Sequence, residues 1–253
     1  MKIKNFSLRI GWLYPDLMST YGDRGNIIVL QKRCSWRSIQ AEIIKVSLGS
    51  NIKDLESVNL IFMGGAQDIQ QEIVNKDLFS GKGEIITQMI RNYIPALFIC
   101  GAYQFMGKFY KTADGKKLLG LGLFDLYTEN PGLNKKRLIG NIVISNIKHL
   151  SSKIKIVGFE NHGGRTYLAN KSLALARVFK GYGNNGEDKT EGMVYKNAIG
   201  TYLHGPLFSK NPEIADWLIQ KALEIKYKRK FKLQKLNDNL EYKAREKIIM
   251  KTV

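Results

Sequence analysis

The chain has 253 residues, 44% of them hydrophobic, enough for one large domain or for one domain with an appendage. Its net charge of +18 sets two readings side by side, a plainly basic surface and an anionic partner. Two cysteines and three histidines exclude a disulfide framework and leave little for a closed zinc site, and no apolar run reaches the ~20 residues that span a bilayer.

Residues 1–14 are too short and interrupted an apolar stretch for a signal-peptide core, so a reducing cytoplasm is the expected setting. Residues 8–14 and 41–46 alternate as half-buried strands do. Residues 58–63 and 96–99 are continuous apolar runs, suited to strands covered on both faces. Between the first two strands, Ile27, Leu30 and Cys34 mark the inner face of a helix over 25–39. A second helix is predicted over 84–92. Alternation of this kind predicts an α/β fold, a mostly parallel sheet flanked by helices.

Past about Thr112 the texture changes. Residues 120–127, 139–145, 154–159 and 199–203 read as shorter strands separated by glycine turns, and 181–186 (GYGNNG) as a loop. Ile214, Trp217, Leu218, Ala222 and Ile225 share one face of a helix over 211–226. Residues 226–253 hold ten of the 40 basic residues against three acidic ones, or +7 of the +18. The division expected is therefore a domain over 1–226 and a basic C-terminal tail over 227–253, solvated or docking a partner as a helix. No helix-turn-helix, zinc-finger or RNA-binding aromatic signature is present, so no specific nucleic acid is expected.

One stretch carries chemistry. In "FICGAYQFMGKFY" a buried strand stops at Cys100 and turns at once into a helical pattern. Such an elbow projects a nucleophile at the carboxyl end of a sheet. The helix start supplies unpaired N–H groups and partial positive charge, which favour a thiolate and an oxyanion. Gly101 permits the tight turn. The bland alternative is a buried, inert cysteine, the reading given to Cys34. A thiol nucleophile needs a base. His149 lies in a polar stretch read as a surface loop. His162 (FENHGG) and His204 (YLHGP) both end strands, and the pattern favours His204 without deciding. "MGGAQD" ends another buried strand, where Gly65 can turn an N–H toward the cleft opposite Gly101, or simply form a turn.

Taken together, Gly64-Gly65-Ala66-Gln67, Cys100-Gly-Ala-Tyr-Gln104 and Tyr202-Leu-His204-Gly-Pro206 resemble a class I, triad-type glutamine amidotransferase of the cobyric-acid-synthase branch. "YGDRGNIIVL", "LGLGLFDLYTE", "GFENHGGRTYL" and "GTYLHGPLF" extend the resemblance to the glutaminase subunits of lipid II isoglutaminyl synthases, over about residues 8–226. The resemblance implies a flavodoxin-like fold and hydrolysis of L-glutamine to glutamate and ammonia. It also implies a heterodimer with a Mur-ligase-like partner that uses ATP and magnesium and amidates D-glutamate in the stem peptide of lipid II. No cofactor is implied on this chain. Location follows the complex, in the cytoplasm and at the inner face of the membrane.

Residue by residue, the resemblance implies Cys100 as nucleophile, His204 as general base and acid, and Gly65 and Gly101 as oxyanion donors. Arg137 is implied as the grip on the substrate α-carboxylate, a role its Lys-Lys-Arg run alone does not reveal. Gln104 either binds the same glutamine or caps the helix start. Many triad amidotransferases carry a glutamate two residues after the histidine; here Pro206 stands there. The site is then a dyad, or another acid takes the place. Asp23 is the candidate, with an N-cap of the first helix as its other reading. Two further readings remain at this level: an ammonia donor to a cobyrinate-type acceptor, and a non-catalytic basic binding module.

Overall fold

Fully buried aliphatic runs set the centre of the molecule. In the computed structural model, which describes residues 6–150 and 154–252, β1 (Phe6–Leu13), β2 (Ile39–Val46), β3 (Leu60–Met63) and β4 (Ala96–Ile99) are parallel neighbours. Every residue of β3 and β4 is fully buried, so these strands show no alternation. The expectation for residues 1–5 lies outside the described residues. α1 (Arg24–Ser35) returns the chain from β1 to β2. α2 (Ile52–Glu56), α3 (Asp68–Asp77) and α4 (Gly83–Arg91) connect the next strands, and α5 (Gly101–Met106) follows β4 at once. The helix predicted to run to residue 39 stops at Ser35, and Ser38 adopts a positive φ of 55° as the chain turns into β2.

The later half adds two small sheets. β5 (Phe109–Lys111), β6 (Lys117–Leu119) and β7 (Leu126–Glu129) join β10 (Arg165–Leu168) in one. β8 (Leu138–Ser145), β9 (Ile156–His162), β11 (Ala176–Lys180) and β12 (Thr190–Glu191) form an antiparallel second. β13 (Met193–Tyr195) and β14 (Ala198–Thr201) then return to the central sheet, whose order is β13-β14-β4-β3-β1-β2 with only β13 antiparallel. Residues 120–125, predicted as the start of a strand, are instead a cap. Their backbone N–H groups donate to the carbonyls of Phe105, Met106 and Gly107, left open by the end of the short α5.

α6 (Pro212–Tyr227) ends where Lys228 turns left-handed at φ 49°, and α7 (Asn239–Thr252) closes the described chain. The basic tail is anchored. Phe231 packs edge-on against Phe6 at 5.1 Å. The buried Arg33 guanidinium is held by Asp216 from α6 at 2.6 Å and by Asp238 from the tail at 2.6 Å. Arg245 on α7 pairs with both oxygens of Glu213. Among the described residues, no helix is long and apolar enough to cross a membrane.

Candidate active site

The register of the central sheet brings the site together. β4 lies between β3 and β14, so the chain ends after Met63, Ile99 and Thr201 open side by side at one edge. Cys100 follows β4 directly, with its N–H donated to the Thr201 carbonyl at 2.9 Å. Its φ of 52° and ψ of −107° are strained for a residue with a Cβ, the backbone signature of an elbow that turns a strand into a helix. His204 leaves β14 three residues later and is pinned by paired backbone hydrogen bonds to Phe159 of β9.

Asp23 approaches from the loop after β1. Both residues are fully buried, and His204 Nδ1 lies 3.0 and 3.1 Å from the two Asp23 oxygens. Asp23 makes no side-chain cap for α1, because its carboxylate is spent on His204 and on the Gly65 N–H at 2.8 Å. Burial disfavours the charged imidazole. The Asp23 charge and hydrogen bond, with a further contribution from the Cys100 sulfur, outweigh it and push the His204 pKa up to about 10. At neutral pH this histidine carries a proton. Pro206, in the position of the missing glutamate, docks on the first turn of α1, where a Cβ on Gly25 would come within 2.6 Å of its ring.

The two glycines after β3 stand where the Met18 carbonyl, Asp23, His204, Thr20 and Cys100 leave no room for a Cβ. A Cβ on Gly64 would stand 2.9 Å from Asp23 Oδ2. One on Gly65 would stand 2.8 Å from His204 Cε1 and 3.1 Å from Cys100 Cβ. All three side chains thus close around one glycine turn. The Gly65 N–H is taken by Asp23, which corrects its expected place in an oxyanion hole. The next N–H along, that of Ala66, is donated to no group among the described residues and sits 3.3 Å from where a Gly101 Cβ would be. It and the Gly101 N–H at the start of α5 are both left free beside Cys100 among the described residues.

A cavity of about 320 Å³ opens beside Cys100, lined among others by Gln71, Gln104, Arg137, Asn161 and His162. Arg137 is held by Asn161, its Nε on the side-chain oxygen and its Nη2 on the backbone carbonyl, both at 2.9 Å. That clamp leaves Nη1 for an anion. Gln104 donates to the Tyr202 hydroxyl at 3.1 Å, and its Oε1 is buried without a partner. His162, the alternative base, lies flat on Tyr202 with ring centroids 3.6 Å apart and donates Nδ1–H to the Gly164 carbonyl. Burial pulls its pKa down to about 3, so it stays neutral. His149 is an exposed loop residue stacked on Trp217, and burial pushes the Cys34 thiol up to about 12, leaving it an inert core group.

The sequence profile of the CobB/CobQ-like glutamine amidotransferase domain matches residues 9–212, most of the chain. The chain belongs to this amidotransferase family. Over 242 residues it is 42% identical to the lipid II isoglutaminyl synthase (glutamine-hydrolyzing) subunit GatD of Staphylococcus aureus (strain N315), covering 96% of this chain and 95% of that protein. The GatD subunit of Streptococcus pneumoniae (strain ATCC BAA-255 / R6) is 39% identical, over 95% of this chain and 90% of that one. A probable cobyric acid synthase of Methanosphaera stadtmanae is 28% identical over 65% of the chain, which spans only 34% of that larger protein. Among solved structures, a glutamine amidotransferase superposes with a TM-score of 0.57 at 12% identity, over 84% of this chain and 98% of that one, a likeness of fold.

In this amidotransferase Cys100, Gln104 and Arg137 line one cavity, and the buried His204 and Asp23 pack with Cys100 around the Gly64-Gly65 turn. The sequence reading missed Gln71, whose Nε2 bonds the Ala66 carbonyl at 3.2 Å and packs against Gly101. It missed Asn161 as the clamp on Arg137 and Thr20 beside the triad. None of these carries a local signal. The only hint was the "NHGG" stretch, noticed for its histidine and not for the asparagine before it.

Proposed function

We propose that this amidotransferase is the glutaminase subunit of a lipid II isoglutaminyl synthase. It hydrolyses L-glutamine and passes the ammonia to a Mur-ligase-like partner. The observation that carries the reading is the identity of 42% and 39% to two GatD subunits along almost their whole length, at matched chain size. Cobyric acid synthases share only part of this chain and are far longer.

In the proposed mechanism, Arg137 receives the α-carboxylate of glutamine through charge-assisted hydrogen bonds, and Gln104 accepts from a substrate N–H through its free Oε1. The Cys100 sulfur attacks the carboxamide carbon. The oxyanion is met by the N–H groups of Gly101 and Ala66. His204 passes its Nε2 proton to the departing nitrogen, and ammonia leaves behind a γ-glutamyl thioester. Water then attacks the thioester and gives a proton to His204. The C–S bond breaks, and glutamate departs. Asp23 holds the ring by Nδ1 and stabilises its charge throughout.

ATP and magnesium chemistry belongs to the partner, which amidates the α-carboxyl of D-glutamate in the lipid II stem peptide. The pair works in the cytoplasm at the inner membrane face, where that acceptor lies. The basic tail is offered as a docking surface for the partner. Its length and charge support this, and deletion of 227–253 with measurement of complex formation tests it.

The test of the function is co-purification of the chain with its native companion, followed by a lipid II amidation assay. A Mur-ligase-like companion, glutamine- and ATP-dependent amidation, and loss of glutamine use but not of free-ammonia use in Cys100→Ala are expected. A cobyrinate-type companion, or unchanged glutamine use in Cys100→Ala, overturns the reading.

A further inference from the structure

Among the described residues, several polar atoms beside the elbow are buried without a hydrogen-bond partner: Oε1 of Gln71 and of Gln104 on the substrate side, and His204 Nε2 and the hydroxyl Oγ1 of Thr20 at the glycine turn. The last two flank the same spot. A Cβ on Gly65 would stand 2.8 Å from Thr20 Oγ1, 2.8 Å from His204 Cε1 and 3.1 Å from Cys100 Cβ. Thr20 is itself held in place. Its N–H donates to the Gly65 carbonyl at 3.2 Å, and its carbonyl accepts from the Asp23 N–H at 3.1 Å. The loop that delivers the triad carboxylate therefore also delivers a hydroxyl. Leaving a buried hydroxyl without a partner costs about 1–3 kcal/mol, so the arrangement calls for an occupant.

We propose that Thr20 Oγ1 and His204 Nε2 form a subsite for a small molecule that both donates and accepts hydrogen bonds: the ammonia leaving in the first step and the water entering in the second. The proposal rests on the glutaminase reading. The flank assignment follows from the donors. The oxyanion is drawn to the N–H groups of Gly101 and Ala66, on the side of Gly65 toward α5. The leaving nitrogen must lie toward the acid, His204, on the other side. As the Cδ–N bond of the carboxamide breaks, the nitrogen takes the His204 proton while Thr20 Oγ1 accepts a hydrogen bond from one of its N–H groups. When water replaces ammonia, Thr20 accepts one O–H, His204 takes the other proton, and the oxygen lone pair attacks the thioester carbon as the C–S bond breaks. Tyr21 follows Thr20 in the chain. It sits edge-on to the His204 ring at 5.0 Å, in a left-handed conformation with φ 51°.

The test uses the full chain with Thr20→Val, which keeps the shape and removes the hydroxyl, and Thr20→Ser, which restores it. Glutamine turnover is measured with hydroxylamine present, so that the thioester partitions between glutamate and γ-glutamyl hydroxamate. Thr20→Val is expected to lower kcat about 10–100-fold with KM within threefold, and to change the hydroxamate-to-glutamate ratio severalfold. Thr20→Ser is expected to restore both to within about threefold of wild type. Alkylation of Cys100 by iodoacetamide, which needs neither ammonia nor water in the subsite, is expected to keep its rate in both variants. An unchanged partition ratio in Thr20→Val, equal losses in the two variants, or alkylation falling in parallel with kcat overturns the subsite while leaving the glutaminase reading standing. A wild-type chain that releases no ammonia from glutamine, alone or with its companion, overturns both.

Discussion

His204 Nδ1 and the Asp23 carboxylate meet at 3.0 Å although the two residues are 181 positions apart in the chain. In the proposed mechanism this pairing takes the place of the missing glutamate. The acid comes from the loop after the first strand, and the vacated position holds a proline that seats this segment on α1. The same carboxylate also fixes the Gly65 backbone, so it sets both the imidazole and the glycine turn facing Cys100.

Replacing Asp23 with Asn keeps an acceptor for Gly65 but removes the charge. Burial then dominates at His204, and its pKa falls from about 10 toward or below the ordinary histidine value. The expected result is a kcat lowered about 10²–10⁴-fold, with the alkaline limb of kcat/KM, near pH 10 in the wild type, moved down by several pH units. The raised pKa also has a stability sign. Its contribution is complete below the unfolded value near 6.5 and is lost as pH rises through about 10. A pH–rate profile checks the prediction, and a variant with wild-type kcat and an unmoved alkaline limb contradicts it.

Much of this was legible in the chain. The runs 58–63 and 96–99 read as doubly covered strands, as β3 and β4 are, and the elbow at Cys100 followed from a strand meeting glycine and a helix. What stayed hidden depends on direction or on distant partners. Asp23 suits an N-cap and a triad equally well, because both ask for a short carboxylate before a helix. Gly65 reads as an oxyanion donor until Asp23 is seen to occupy its N–H. Residues 120–125 are apolar enough for a strand, yet their N–H groups answer the open carbonyls of α5. The anchoring of the tail turns on Arg33, whose two carboxylate partners lie about two hundred residues away and leave no periodic trace.

In the proposed mechanism Arg137 serves binding and not chemistry. Its fork is aimed by Asn161, and its role is to meet the α-carboxylate, away from the carboxamide carbon. Arg137→Ala is expected to raise KM for glutamine about 10–100-fold with kcat within a few-fold. Arg137→Lys should fall between, keeping the charge but not the planar fork. Steady-state kinetics decide. A large fall in kcat at unchanged KM would remove Arg137 from the substrate grip.

Arg33 holds three segments with one buried guanidinium. Truncation to Ala leaves Asp238 without its cation and Asp216 with Arg37 alone, a loss of about 3 kcal/mol, the low end for a buried pair. Part of that is local to the tail, since Asp238 is its main ionic tether to α1. Urea denaturation is expected to show a lowered midpoint, and limited trypsin digestion to show faster cutting at the lysines of 228–235. Unchanged digestion of that stretch would mean the apolar contacts of Phe231 suffice to hold it.

His162 supplies the clearest acid-side signature. Burial depresses its pKa to about 3 against 6.5 unfolded, so the unfolded chain binds a proton the folded one refuses. Its stabilising contribution is therefore complete above about pH 6.5 and is lost progressively as pH falls toward 3, by up to roughly 5 kcal/mol. The buried Glu160, whose pKa burial raises to about 7, works in the opposite sense, losing stability as pH rises between 4.5 and 7. The two must be separated by mutation. In His162→Gln the acid-side slope of unfolding free energy between pH 6.5 and 4 is expected to flatten or reverse sign, leaving exposed the opposing slope of Glu160 and of the buried Glu191, also raised to about 7. The measurement is urea unfolding at closely spaced pH values, and a variant whose slope matches the wild type would show that His162 takes up its proton without unfolding the chain.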